Sequence, residues 1–220
     1  MKPKTSVLIY LTLFIFILSS SLVHAQDIKP VKLPPPRTDG GRPLMQVLKD
    51  RSSSRSFSSD TIPVQVLSDL LWAAWGINRP ESGRRTAPSA SNKQEIDVYV
   101  TTAEGVFVYD AVGNVLNPVL AEDIRELTGT QPFVKDAPVN LVYVADFSKM
   151  GNADDNQKYS TSSANAGYIS ENVYLYCASE GLATVVRGSV DKPTLEAAMK
   201  LRPDQKVILA QTVGYPAKTE

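Results

Sequence analysis

The sequence predicts an α+β fold on three observations. Residues 64–76 and 162–180 repeat apolar side chains at helical spacing. Residues 96–100 and 106–109 alternate as strands do, and residues 139–145 and 206–214 form near-continuous apolar runs. The two kinds of segment do not follow one another in the regular βα rhythm of a doubly wound sheet.

The elements follow in order. Residues 26–42 carry Pro30, Pro34, Pro35 and Pro36 before Asp39-Gly40-Gly41. Serial prolines favour polyproline II and exclude a helix, so this is an extended arm, either loose or draped over the body or a partner. Residues 43–49 form a short helix with Pro43 at its first turn. Residues 51–58 are a polar loop, and Gly76 closes the helix that Val66, Leu67, Leu70, Leu71, Ala74 and Trp75 mark. Residues 78–93 are a connection rich in Pro, Ser, Gly and Arg, long enough to suggest a task of its own.

Ala103-Glu104-Gly105 joins two strands as a hairpin, and Val112-Gly113-Asn114 is the next turn. Residues 119–127 are expected to form a short helix and residues 147–158 a polar loop. The helix of residues 162–180 is the longest; Ala166, Ile169, Val173, Tyr176 and Cys177 mark its inner side, and Gly181 ends it. Residues 193–200 are a last helix. Residues 43–220 thus form one domain behind the arm of residues 26–42.

The first 25 residues are expected to be removed before this domain works. Lys2 and Lys4 precede a dozen apolar residues and then Val23-His24-Ala25, the pattern of a secretory signal cleaved after Ala25. An uncleaved anchor is the other reading. Cleavage implies an exported, periplasmic protein with no stable membrane anchor. It also removes His24, the only histidine, so a His general base, a Ser-His-Asp triad and a His-ligated metal are excluded from the mature chain. Carboxylates, hydroxyls or a bound cofactor must then supply any catalysis.

Composition narrows the classes further. The 220 residues hold 23 Lys and Arg against 23 Asp and Glu, with 43% hydrophobic and 21% charged residues. A wholly disordered, collagen-like or multi-span membrane chain is excluded. Balanced charge provides no electrostatic footprint for nucleic acid. The single cysteine, Cys177, excludes an internal disulfide framework and is expected to pack as a small hydrophobe.

Three clusters could carry chemistry. Arg51, Ser52, Ser53, Ser54 and Arg55 place two guanidinium forks and three hydroxyls on one loop, the donor set of a phosphate cradle. The same residues would also make an ordinary solvated basic loop. Residues 84–94 include Pro88, Ser89, Asn92 and Gln94. Amides offer donor and acceptor together and suit the edge of a heteroaromatic ring, or else they close turns. Residues 181–191 contain Arg187-Gly188, where backbone could approach a flat ligand closely, or which could be a helix cap and connecting strand.

Four stretches in order, LMQVLKDRSSSRSF, LLWAAWGINRPESGRRTAPSASNKQ, SANAGYISENVYLYCASEGLATVVRG and KVILAQTVGYPAK, resemble the nitroreductase family of FMN-dependent oxidoreductases from about Leu33 to Lys218. The arm and the tyrosine-bearing hairpin look closest to the branch that includes azoline-forming peptide dehydrogenases. The resemblance implies a central mixed, mainly antiparallel sheet flanked by helices, in an intertwined homodimer with one FMN in each of two interface clefts. It implies that Arg51, Ser52, Ser53 and Arg55 hold the phosphate and ribityl chain. Asn92 would face the polar edge of the ring, with Pro88 and Ser89 shaping its loop. Arg187 and Gly188 would lie near the redox-active side through backbone groups, and Lys218 would reach the phosphate. Trp72, Trp75, Tyr159 and Tyr168 are candidates to line the cleft.

Two departures stand out. Many relatives carry an acidic residue at the position of Arg187, where a cation would favour reduced flavin, and the family's proline after Gln94 is replaced by Glu95. The implied activity passes electrons from NAD(P)H or another small-molecule donor to an electron-poor acceptor such as a nitroaromatic or quinone. A redox carrier without turnover and a dehydrogenase of a peptide or ring substrate are the alternatives.

Overall fold

The computed structural model describes residues 28–217. The expected leader peptide and Lys218 lie outside the described residues. The chain runs β1 (Val31–Lys32), α1 (Leu44–Asp50), α2 (Val64–Trp75), β2 (Ile77–Arg79), β3 (Arg84–Arg85), β4 (Ile96–Thr102), β5 (Gly105–Asp110), β6 (Val115–Leu120), β7 (Val139–Asp146), α3 (Asp155–Glu180), β8 (Ala183–Arg187), α4 (Lys192–Ala198) and β9 (Gln205–Gly214). Seven strands form one sheet in the order β1-β6-β5-β4-β7-β9-β8, while β2 and β3 make a separate small hairpin. Every pairing in the large sheet is antiparallel.

The sheet has a packed layer on each face. On one, α2 and α3 bury Leu70, Leu71, Ile169 and Val173 against Val98, Val100, Leu141 and Tyr143. On the other, Leu195 and Met199 pack on Val142, Val144 and Val207. Successive residues of β7 therefore enter opposite cores, which is why its run is apolar without alternation. Cys177 is fully buried on the α3 side, and burial pushes its thiol far up, as suits a packing residue.

The arm is part of the body. Val31–Lys32 adds the last strand beside β6, and Leu33 is 2% exposed in the core. The carbonyl of Pro34 then accepts from Ser68 Oγ at 2.6 Å, and Arg37 donates to Asp69 through both its amide and its side chain. Arg42 reaches the end of α3, where its amide donates to Ser179 Oγ at 3.0 Å.

Three local expectations change. Residues 119–127 are not a helix: Val119 and Leu120 complete β6, and a short 3-10 turn follows at Arg125–Thr128. Pairing of β6 with β5 overrides a spacing that local sequence reads as helical. The polar loop of residues 147–158 breaks into a 3-10 turn, Phe147–Met150, and the first residues of α3. That helix begins about two turns earlier than its apolar pattern because the side chain of Asp154 caps it, accepting from Gln157 N at 2.9 Å. The loop after α2 contains the β2–β3 hairpin.

Candidate active site

The residues expected to form a phosphate cradle are held against the free edge of the sheet. Strand β8 pairs only with β9, so alternate backbone groups on its outer side need partners elsewhere. The carbonyl of Thr184 accepts from Ser54 N at 2.9 Å. The amide of Val186 donates to Tyr174 Oη at 2.9 Å. The two-residue strand period makes Gly188 N–H the next donor on this edge. It is exposed and has no acceptor among the described residues.

Tyr174 joins this edge to the loop. Its hydroxyl also hydrogen-bonds Ser53 Oγ at 2.8 Å, and its ring lies 5.4 Å from the Arg51 guanidinium. The loop is pinned beyond that point too: Ser58 N donates to Tyr215 O at 2.9 Å, and Phe57 bridges to Pro216. The residues leading to Lys218 therefore run beside the cradle. Arg51 and Arg55 have no carboxylate partner among the described residues, and Ser52, Ser53 and Arg55 are exposed. Among the described residues, two guanidinium groups without a carboxylate, serine hydroxyls and a glycine amide without an acceptor share one edge, and they fit an anionic group attached to an acceptor-bearing ring.

Tyr174 was absent from the sequence-level candidates. A signal existed: it falls on the helical face with Ser170, Val173 and Cys177, and a buried tyrosine hydroxyl needs a partner.

Arg187 behaves differently from its neighbour. It is 5% exposed and turns beneath the loop that precedes β7. Its guanidinium donates to Thr128 O at 2.6 Å, Asn140 Oδ1 at 3.0 Å and Thr212 Oγ1 at 2.8 Å, and lies 5.9 Å from the Phe133 ring. No carboxylate neutralises it among the described residues, and burial brings its pKa down to about 10. Gly129 makes room for it, since a Cβ there would lie 1.8 Å from Arg187 Nη1. The charge is thus engaged in the interior, while the adjoining Gly188 backbone stays open.

The loop of Pro88, Ser89 and Asn92 lies elsewhere. Lys93 Nζ donates to Met150 O at 2.7 Å, and Asn165 Nδ2 donates to the fully buried Glu95 at 2.7 Å. Asn165 and Tyr174 are nine residues apart on α3, or about 14 Å along its axis. Within one chain the two predicted ligand loops therefore dock at separate points along one helix. Ser91, Asn92 and Gln94 all have positive φ, at 53°, 53° and 48°. Non-glycine residues pay roughly 1–2 kcal/mol each for that conformation, Asn least. Strain of this kind gathers where a ligand must be met. Pro88 and Asn92 are exposed, and Ser89 Oγ accepts from Gln94 N at 3.1 Å. Of the aromatic candidates, Trp75 is buried in the core, Trp72 is half-buried, and Tyr159 and Tyr168 are exposed.

Among the described residues no group of His, Cys, Asp or Glu is placed to hold a metal ion. None of the helices there is long and apolar enough to cross a membrane.

Comparison with known proteins agrees with this architecture. The profile of the Nitroreductase family matches residues 48–215. A Methanocaldococcus jannaschii protein assigned as a nitroreductase is 26% identical over 169 residues, spanning 72% of this chain and 85% of its own. A crystal structure of a Ralstonia eutropha JMP134 protein with the same assignment is 43% identical, covers 87% of this chain and 91% of its own, and superimposes with a TM-score of 0.83. The fold also matches a chain of the Escherichia coli microcin synthetase McbBCD complex at 18% identity and a TM-score of 0.69, covering 99% of this chain and 85% of that one. The chain belongs to the nitroreductase family, and its general chemistry is that of a flavin-dependent oxidoreductase.

Proposed function

We propose that the protein is an FMN-dependent oxidoreductase working as a homodimer. The observation that carries this is the edge of β8, where Arg51, Arg55, the serines between them and the Gly188 amide lie together, the two guanidinium groups without a carboxylate and the amide without an acceptor among the described residues. The arginines and Ser52 and Ser53 would hold the phosphate, and Gly188 N–H would donate to the ring. The chemistry that bound FMN supplies is two-electron transfer from NAD(P)H or another reductant to an electron-poor acceptor such as a nitroaromatic or quinone. The chain's own task is to bind, orient and keep the reactants close. Tyr174 keeps the cradle and the ring-side strand in register, and Lys218 would add a further cation beside the cradle.

Two features support the dimer. The loop of Asn92 and the cradle are spread along α3 in a single chain, and a second copy related by a two-fold axis can bring one loop of each kind together. Leu44, Met45 and Leu48 on α1 and Tyr168 on α3 are 61%, 76%, 46% and 51% exposed, apolar side chains that a second copy would cover. Export with cleavage after Ala25 belongs to the same proposal; the N-terminus of the secreted product would be Gln26.

Titration with FMN and riboflavin tests the assignment. Each charge-assisted phosphate bond is worth about 1.5–3 kcal/mol, so Arg51→Ala with Arg55→Ala should weaken FMN roughly a hundredfold or more. Riboflavin, which has no phosphate, should bind the variant as it binds the parent. Equal loss for both ligands would place the phosphate elsewhere. Bleaching of the yellow holoprotein by NADH or NADPH, and its recolouring by a nitro compound, would identify donor and acceptor.

A further inference from the structure

This inference rests on the cofactor reading above and concerns what the loop of Asn92 offers a ring. Arg85 is half-buried at the end of the β2–β3 hairpin. Its guanidinium lies 4.8 Å from the Trp75 ring centroid, and Nη1 donates to Trp75 O at 2.7 Å. Its Nε donates to Gln94 Oε1 at 2.7 Å. Gln94 Nε2 in turn donates to Gly83 O at 3.0 Å and to Asn92 Oδ1 at 3.1 Å.

The chemistry of these groups gives the chain of bonds a direction. A carboxamide can rotate by half a turn and exchange its donor and acceptor ends, so a surface asparagine alone has no defined polarity. An arginine has donors only. Whatever carboxamide end faces Arg85 Nε must be oxygen, so Gln94 presents its NH2 on the other side. That NH2 occupies Asn92 Oδ1. The remaining polar end of Asn92, its Nδ2, then faces solvent as a donor. The backbone supports the same arrangement: Gln94 and Asn92 hold positive φ, and Ser89 Oγ takes the Gln94 amide proton.

We propose that Arg85 is a positioning residue that acts through Gln94 to make Asn92 a hydrogen-bond donor, so that this loop selects a carbonyl or ring nitrogen acceptor on the flavin edge. Trp75 holds the guanidinium in place from within the core. The relay explains why residues on an exposed loop are tied to a half-buried arginine. Three left-handed residues within four positions accompany the turn that brings Gln94 between Arg85 and Asn92.

Gln94→Glu tests the direction of the relay without removing Arg85. A carboxylate still accepts from Arg85 and gains an ion pair there, but it cannot donate to Asn92. Asn92 is then free to turn its NH2 inward and its oxygen outward. The ion pair with Arg85 offsets the lost bond to Gly83 O, so the variant should melt within a few degrees of the parent, bind FMN at least tenfold more weakly by fluorescence quenching, and lower the reduction potential of the flavin that does bind. Asn92→Asp, which places oxygen at the outward position directly, should lose affinity by a similar factor. In Arg85→Met, weakening should not add to that of Asn92→Ala in the double variant, because both remove one device. Wild-type FMN affinity and potential in Gln94→Glu, or strict additivity in the double variant, would overturn the inference while leaving the cofactor reading intact. Parent protein that takes up no FMN would overturn both.

Discussion

Tyr174→Phe isolates the bond that joins the loop of Arg51 and Arg55 to the sheet edge. The substitution keeps the ring, which is 6% exposed, and therefore keeps its packing and its position below Arg51. Only the hydroxyl goes. Val186 N–H loses its acceptor at 2.9 Å in a half-buried position, and Ser53 loses a partner at 2.8 Å. An amide left without a partner costs about 1–3 kcal/mol. Ser53 is exposed and can turn to water, so it adds little. The sum is about 2 kcal/mol, which for a domain of this size lowers the melting temperature by ~4–8 °C. Scanning calorimetry on the protein without flavin would measure it, and hydrogen exchange at the Val186 amide would locate it. FMN affinity should fall as well, though by less than in the arginine variants, because the cradle loosens while its charges remain. An unchanged melting temperature with unchanged protection of Val186 would refute the hub role of Tyr174.

Other predictions test the frame around this site. Leu33→Ala should cost about 2–4 kcal/mol in urea unfolding, since a buried leucine is lost from the core; a near-zero cost would show that the arm is not part of it. Gly129→Ala should destabilise by about 1–3 kcal/mol through a clash with the Arg187 guanidinium, and Arg187→Met should recover part of that loss in the double variant. The φ of Gly129 is −179°, ordinary extended backbone, so the effect is steric rather than conformational. Asp146→Asn should be pH-dependent. Burial raises the carboxyl of Asp146, but Ser148 and Arg202 outweigh it and leave the pKa below the ordinary value. Its stabilisation is then present above the unfolded value of about 3.9 and lost as pH falls through the lower folded one. The variant should be about 1–2 kcal/mol less stable at neutral pH, with the gap closing in acid; a gap that stays constant in denaturation curves down to acid pH would contradict this.

The legible parts of the fold were those whose burial is simple. α3 shows on its inner face a helical repeat that local sequence displays directly, and β7 has both faces in a core, so its composition alone marks it. β6 and β1 were not legible. Val119 and Leu120 begin a spacing that reads as helical and become strand only because β5 offers them a partner, and β1 is two residues whose pairing depends on the arm's course. The site divides in the same way. Arg51, Arg55 and the serines advertise their chemistry through side chains that stay at the surface. Tyr174 and Arg85 sit inside flagged stretches without showing a role of their own, because each matters through a contact with a residue remote in sequence or through an intermediary.

By itself the sequence determined the kinds of groups present: a mature chain without histidine under the expected cleavage, a loop of two cations and three hydroxyls, and the alternation that makes an α+β sheet protein. Those properties are local, since side-chain chemistry and hydrophobic period need only neighbouring residues. Tertiary structure alone decided direction. It turned the Arg187 guanidinium into the interior and left the Gly188 amide outside, and it oriented the amides of Gln94 and Asn92 through Arg85. Hydrogen-bond polarity is a property of pairs, and the members of these pairs meet only when the sheet, the helices and their loops have closed around one another.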